Sequence, residues 1–566
     1  MKTLSLILAL LLCAHLGYAQ QVGNCRLGAA SKTLDVGDVR AALYPNGGFF
    51  WRGSDNVYTV PKDGMANSIY TANLWVGGLV EDGTHRFAGT AYGPWEFWPG
   101  PLDEKGNPPD DCSEYDRLYS VYDSDIRAYE AEGTLTDDLR DWPYHLGAPV
   151  IDGDGIEGNY DLAAGDRPHI NGEQSVWWVM NDAGNRKQWS TTPPIGLEVQ
   201  VQAFAAACVS PGGQRVPQAD PLVNQATYYR FRIIHKGLDP LHETYIGWWT
   251  DADVGDESDD YIGVDTTLHM GFMYNALDFD AGIDGYGSRP PAIGMLLAEE
   301  LMVTHNDSGG STENPDGALP FNGFLKWNSD SSPQGSPSSS TIEPYNYMRG
   351  IWRDGTPMTH GGSGYGGTMP TRYMFPGDPV TRSFWSAENT DGSGSTSSSG
   401  DLDFLLSSGP FEFAPGDTTT FTLAIVWAQG QDRLDSIREL RRSARRTTDP
   451  AVLGEIMIYD AYTCAPPPEP EVEDPDVLGY YVLRQNYPEP FSQQTIIRYE
   501  VIDTVPVQLH VYDLLGRRVR TLVDGTQDAG VYDVVFEADD LPTGTYFYRL
   551  EAAGYVSITR RMVLQR

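Results

Sequence analysis

Sixteen residues near the end of the chain, CAPPPEPEVEDPDVLG from Cys464 to Gly479, have almost nothing to bury: five are proline and five acidic. Proline fixes φ and removes a backbone donor, so such a run is a stiff, extended spacer and not part of a core. The chain is therefore read as two independently packed units: a body over 20–464 and a small unit over 479–566, joined by a linker at 465–478. At 566 residues there is ample length for a large core on the body side.

Period two governs the small unit. In TIIRYEV, Ile497, Tyr499 and Val501 alternate with Ile496, Arg498 and Glu500; VQLHVYD repeats the pattern with Val507, Leu509 and Val511. VYDVVFEA places Tyr532, Val534 and Phe536 on one side, and GTYFYRLEA does so with Tyr546, Tyr548 and Leu550. Short alternating strands separated by glycine turns predict a small immunoglobulin-like β-sandwich. The body reads as mainly β as well, from VQVQAFAA at 199–206, ATYYRFRIIHKG at 226–237 and TTTFTLAIVWAQG at 418–430. One helix stands out, DRLDSIRELRRSARR, with Asp432 as its cap and Leu434, Ile437, Leu440 and Ala444 on one stripe. Two Ser-rich stretches, 328–340 and 389–400, are expected to be mobile loops, and no fixed-period repeat appears.

Within the small unit, LRQNYPEPFSQQTIIRYEV, VQLHVYDLLGRRVRTLVDG, AGVYDVVFEADDLPTGTYFYRLEA and the closing RRMVLQR resemble the type A C-terminal sorting domain of type IX secretion system cargo. Its middle part is also similar to the immunoglobulin-like domain of flagellar hook-capping proteins. Glu489 stands where the sorting family often has Asn. The resemblance implies that the terminal hairpin is an address read by the outer-membrane translocon, which becomes the partner of 479–566, and that it is often cleaved on arrival. A receptor-read signal must be ordered and exposed, which accounts for a well-patterned chain end behind a stiff spacer. Body segments such as VRAALYPNGGFFW, IYTANLWVGGL, DWPYHLGAPVIDGDG and GWWTDADVGDESDDYIGVDT resemble a recurring, uncharacterised region of secreted proteins with this signal.

The N-terminus agrees with export. MKTLSLILALLLCAHLGYAQ has a basic start, an apolar run and small residues near Ala19, the form of a cleaved signal peptide over 1–19. No later stretch is apolar enough to span a bilayer. Four cysteines then remain, Cys25, Cys112, Cys208 and Cys464. In an oxidising compartment two bridges in any of three connectivities are open, and the wide spacing is unlike a zinc site.

The formal charge is −39; from Gly479 onward nine Arg face eleven Asp and Glu, a net of −2, so the preceding residues carry −37. A field of that sign repels nucleic acid and anionic lipid and attracts cations. Two stretches concentrate it. IDGDGIEGNYDLAAGD offers Asp152, Asp154, Glu157, Asn159, Asp161 and Asp166, and TDADVGDESDD offers Asp251, Asp253, Asp256, Asp259 and Asp260. Calcium gathers six to eight oxygens, and a glycine-punctuated loop with carboxylates at alternate positions can wrap it. Neither stretch has EF-hand spacing. The expected calcium ligands are Asp152, Asp154, Asn159 and Asp161 in the first, and Asp251, Asp253 and Asp256 in the second, as a structural ion. The bland alternative for both is an Asp/Gly turn on an acidic surface.

Catalytic templates are missing: no His-Glu-x-x-His, no Gly-x-Ser-x-Gly and no phosphate-binding loop ending in Lys-Ser/Thr. GGSGYGG at 361–367 lacks the strand-then-helix setting of a nucleotide site. The adjacent tryptophans Trp177/Trp178 and Trp248/Trp249 each predict one ring in the core and one on the outer face, where it could stack on a sugar. The preferred reading is a non-enzymatic secreted or cell-surface protein whose body serves adhesion, polymer binding or envelope structure, with a polysaccharide or another surface protein as partner. A secreted hydrolase acting on polysaccharide or peptide is the competing class, since a glycosidase needs only two carboxylates placed in space.

Overall fold

The computed structural model describes residues 22–448, apart from 53–54, 94, 208–223, 283–284, 308–309, 314–317 and 328–330. It also describes 482–565, apart from 484–485, 487–490, 492, 502–504, 514–516, 528–529, 539–540 and 553–555. The chain divides into two compact units, Met1–Ala465 and Pro466–Arg566, with the division inside the proline-rich spacer. The expected signal peptide over 1–19 and the expected spacer over 465–478 lie outside the described residues.

Two antiparallel sheets make the frame of the body. The smaller runs, in spatial order, through Gly323–Lys326 (β9), Asp403–Phe413 (β10), Leu241–Asp251 (β5), Thr71–Leu79 (β1) and Gly48–Phe49. The path of the larger runs through Tyr119–Tyr122, Gln174–Asn181 (β2), Leu197–Ala205 (β3), Ala226–His235 (β4), Thr418–Ala428 (β11), Ala292–Asp307 (β8), Met270–Asn275 (β7) and Asp260–Asp265 (β6). Their facing sides meet through aromatic rings: Phe49 of the smaller sheet lies 6.0 Å from Trp178, 5.7 Å from Tyr229 and 6.0 Å from Phe231 of the larger one. Trp248 joins the same cluster, 5.1 Å from Phe49. Ring pairs at these separations add to the area they bury, so this seam is the core of the body.

The outer face of the larger sheet is covered too. Helix Arg433–Thr447 (α1) packs on β11, β8 and β7 with Ile437, Leu440 and Ala444 buried. Asp432 caps it, accepting hydrogen bonds from the Leu434 and Asp435 amides at 3.0 and 2.8 Å. Toward the other edge, Trp177 and Val179 are buried against Ile126, Leu139 and Trp142. With both faces covered, every position of β2 and β3 is buried, and such strands lose the alternation that a half-wet sheet shows. The expectation that one ring of each tryptophan pair faces solvent fails on β2 and likewise on β5, which is buried from Thr244 to Asp251: Trp177 is 2 % exposed and Trp249 0 %.

A disulfide joins Cys25 to Cys112, Cα–Cα 5.3 Å, beside buried Trp98. Cys208 and Cys464 lie outside the described residues. The Ser-rich stretch 389–400 is knit together, with Asp391 accepting from the amides and hydroxyls of both Ser393 and Ser395.

The second unit holds a three-stranded and a four-stranded antiparallel sheet. The first contains Val482–Leu483, Gln494–Val501 (β12) and Gly530–Glu537 (β15); the second contains Arg518–Gln527 (β14), Val505–Asp513 (β13), Gly544–Ala552 (β16) and Val556–Leu564 (β17). Ile497, Tyr499, Val501, Leu509, Val511, Phe536, Tyr548 and Leu550 form one core, while Ile496 and Val535 face out at 44 % and 53 % exposure. Strand β17 pairs with β16 along its whole length, from Val556 opposite Ala552 to Leu564 opposite Gly544.

Candidate metal centre

Strands β5 and β10 are neighbours, and their register sets Asp251, the last residue of β5, directly opposite Asp403, the first of β10. Like charges facing across a ladder repel. Each has a second aspartate two residues away, Asp253 beyond the end of β5 and Asp401 before the start of β10, so four carboxylates collect at one end of the smaller sheet. One carboxylate oxygen each of Asp251, Asp253 and Asp401 lies within 4.8 Å of the others.

Among the described residues no cation faces this group. None of the four aspartates forms an ion pair among the described residues, and the Oδ1 atoms of Asp251 and Asp253 are buried with no hydrogen-bond partner. Asp251 is 4 % exposed. Asp403 accepts a hydrogen bond from the Tyr92 hydroxyl at 3.2 Å, and the Tyr92 ring packs edge-on to Trp249 at 5.0 Å. Burial, and then the charges of Asp403, Asp253 and Asp401, raise the Asp251 pKa well above the carboxylate range. Asp253 is raised by burial and then by Asp401 and Glu257, and Asp403 by burial and then by Asp401. Burial also raises Tyr92, helped by Asp403, Asp251 and Asp401. An unpaired buried carboxylate either takes up a proton or meets a cation. The three converging carboxylates, Asp251, Asp253 and Asp401, with Asp403 adjacent, supply the hard oxygen donors that calcium coordinates.

Asp256, the third residue expected in this stretch, points elsewhere. Its Oδ1 accepts from the Ser258 amide and hydroxyl at 3.0 and 2.6 Å and caps the short 3-10 turn Glu257–Asp259. Buried Asp260 uses one oxygen to accept from the Val254 amide at 3.1 Å. Asp401 and Asp403 were missed in the sequence, although DLD at 401–403 repeats the spacing of DAD at 251–253; only strand pairing brings the two triplets together.

The first acidic stretch folds as a loop closed by a two-stranded ladder, Val150–Ile151 against Arg167–Pro168. At its neck Gly153 lies so close to Gly165 that a Cβ there would sit 2.2 Å from the Gly165 carbonyl oxygen. Oxygens of Asp152, Asp154 and Asp166 converge within 4.8 Å. Their carboxylates already accept local hydrogen bonds: Asp152 from the Asp154 and Gly155 amides, Asp154 from Ile156 and the Asn159 side-chain amide, Asp166 from Gly153 and Asp161. The two backbone bonds to Asp166 hold its pKa below the usual range. Asp161 turns away to cap Leu162–Ala164. This loop thus satisfies its charges from its own backbone, whereas the Asp251 group does not.

In the second unit, residues 485–565 match the family model described as the secretion system C-terminal sorting domain. The tail is a type IX sorting domain. It makes the chain a type IX secretion cargo protein, exported to the cell surface or the medium. Among the described residues no helix is long and apolar enough to cross a membrane. No curated protein matches the chain. Among solved structures, a polysaccharide lyase aligns over 74 % of this chain at 7 % identity with a TM-score of 0.20. The chain spans only 38 % of that protein's length.

Proposed function

We propose that the exported cargo is a cation-braced β-sandwich that binds a partner at or beyond the cell surface, serving adhesion, polymer binding or envelope structure. The observation that carries the bracing is the convergence of Asp251, Asp253 and Asp401, beside Asp403, with the buried Oδ1 atoms of Asp251 and Asp253 lacking a hydrogen-bond partner. A calcium ion held there ties β5 to β10 and fixes the segment leading into β6. Calcium is abundant outside cells, so a site formed from two ladder ends gives a body that is most rigid after export. Asp152, Asp154 and Asp166 are the second candidate ion site, with Asn159 fixing the Asp154 carboxylate.

One feature favours a second reading, a secreted hydrolase. Without a cation, burial and the neighbouring carboxylates raise the Asp251 pKa to about 9, the protonated state a general acid needs, and exposed Asp401 lies beside it as a second carboxyl group. A single experiment separates the two. Calcium chloride is titrated calorimetrically into metal-stripped full-length protein and into Asp251→Asn/Asp253→Asn, and both are assayed against a panel of polysaccharides and peptides. The bracing reading expects saturable calcium binding that the double variant loses, with no turnover. Turnover that Asp251→Asn abolishes, without calcium binding, establishes the hydrolase.

A further inference from the structure

The chain has seven lysines, and Lys326 is placed where a cation is costly. It ends β9, is 5 % exposed, and has no hydrogen-bond or ionic partner among the described residues. Burial alone lowers its pKa to about 8. Lysine ammonium groups are almost never buried unless paired. Here the side chain lines a cavity of about 300 Å³, the lower end of the size range of small-molecule sites.

The rest of the lining is uncharged and hydroxyl-rich: Ser363, Thr390, Thr396, Ser397 and Ser398, with Gln334 at one side and Met374 and Phe375 as an apolar wall. The glycine-rich loop GGSGYGG at 361–367 supplies part of the rim. Gly361, Gly362 and Gly364 sit at φ +97°, +57° and +82°, a region that side-chain-bearing residues avoid. Buried indoles hold this loop in place: Trp352 donates to the Gly364 carbonyl at 2.9 Å and Trp385 to the Gly362 carbonyl at 2.7 Å. Gln334 donates to the Ser363 carbonyl. Outside, Phe384 is 40 % exposed and packs near Gly361.

We infer that this cavity is a binding site for a sugar acid, its carboxylate on Lys326, its hydroxyls on the serine, threonine and glutamine groups, and its ring face on Met374 and Phe375. One ammonium with no neighbouring carboxylate matches one negative charge, so a monoanion fits better than a dianion such as phosphate. The several hydroxyl groups around the ammonium favour a polyhydroxylated ligand over a simple anion: Thr390 and Ser397 already donate to the Ser395 and Ser398 carbonyls and can still accept, and the exposed Ser363, Thr396 and Ser398 can do both. This names a ligand class for the binding reading above and uses none of the aspartates of the cation site.

The test uses the full-length chain and calorimetric or saturation-transfer binding of sodium D-glucuronate, D-glucose and sodium sulfate, in calcium and again in chelator. Glucuronate is expected to bind saturably, with glucose and sulfate each weaker by roughly tenfold or more. Lys326→Met should lose glucuronate binding by a similar factor, and Lys326→Arg should retain part of it. Because Met removes a buried charge, that variant is expected to melt no lower than wild type, so lost binding is not lost folding. The inference is overturned if glucuronate does not bind at about 10 mM, if glucose or sulfate binds equally well, or if Lys326→Met binds as wild type does. Failure here with an intact calcium response removes the ligand and leaves the bracing, whereas loss of the calcium response alone does the reverse.

Discussion

Asp251 concentrates the chemistry of the body in one side chain: buried, opposite Asp403, beside Asp253 and Asp401, and without a compensating donor on Oδ1. In metal-free protein such a carboxylate favours its protonated form in the folded state. Its folded pKa lies above the unfolded value, so its contribution to stability is complete below pH 3.8 and is lost as pH rises. Asp253 and Asp403 follow the same sign, losing theirs between 3.8 and about 7. The metal-free protein is therefore expected to melt lower at pH 8 than at pH 5, and calcium should erase most of that difference. Thermal scans at the two pH values, with and without chelator, check this. Asp253→Asn should raise the melting temperature of the metal-free protein at pH 8, since it removes a charge from the group. Half of the centre was legible: the triplet at 251–253 reads as an oxygen-donor loop. Its partner at 401–403 was not, because only the register of β5 on β10 joins segments about 150 positions apart in sequence.

At the level of elements, legibility follows from which faces are wet. Strands β12, β13 and β16 alternate buried and exposed residues, and the parity read from the sequence places Tyr499, Leu509 and Leu550 in the core. His510 is the exception, buried on the side read as outward. In the body, β2 is covered on both faces and β5 is buried from Thr244 to Asp251, so their pattern carries no parity and neither ring of the Trp177/Trp178 and Trp248/Trp249 pairs reaches solvent. The helix α1 was readable from its cap and stripe, yet its strongest tie was not. Arg441, 6 % exposed, reaches Asp265 at 2.9 Å and Asp378 at 3.1 Å. Arg441→Met would strand two buried carboxylates, and breaking a buried pair costs about 3–5 kcal/mol. Asp432→Ala, which removes only a cap, should cost about 0.5–2 kcal/mol. Denaturant unfolding of the two variants is expected to preserve that order; the reverse order would mean that the helix is held by its cap and not by the buried arginine.

At the scale of the whole molecule, the chain divides within its proline-rich segment into a body and a sorting domain, the latter with seven strands in two sheets among its described residues. Because the sorting domain ends in β17, a full strand paired with β16, truncation before Val556 exposes the β16 edge and opens its core. Removing residues 479–566 should leave a folded body that stays inside the outer membrane; fractionation of expressing cells checks the compartment, and protease resistance checks the fold. Thermal unfolding of the full-length protein in about 1 mM calcium and in chelator, for wild type and Asp251→Asn/Asp253→Asn, tests the cation-braced body most directly. An ion that binds only the folded state at a hundredfold above its dissociation constant adds about 2.7 kcal/mol, enough to move the body's transition by several degrees. That rise is expected in wild type, and its loss in the double variant. Coincident curves for wild type in calcium and chelator would contradict it.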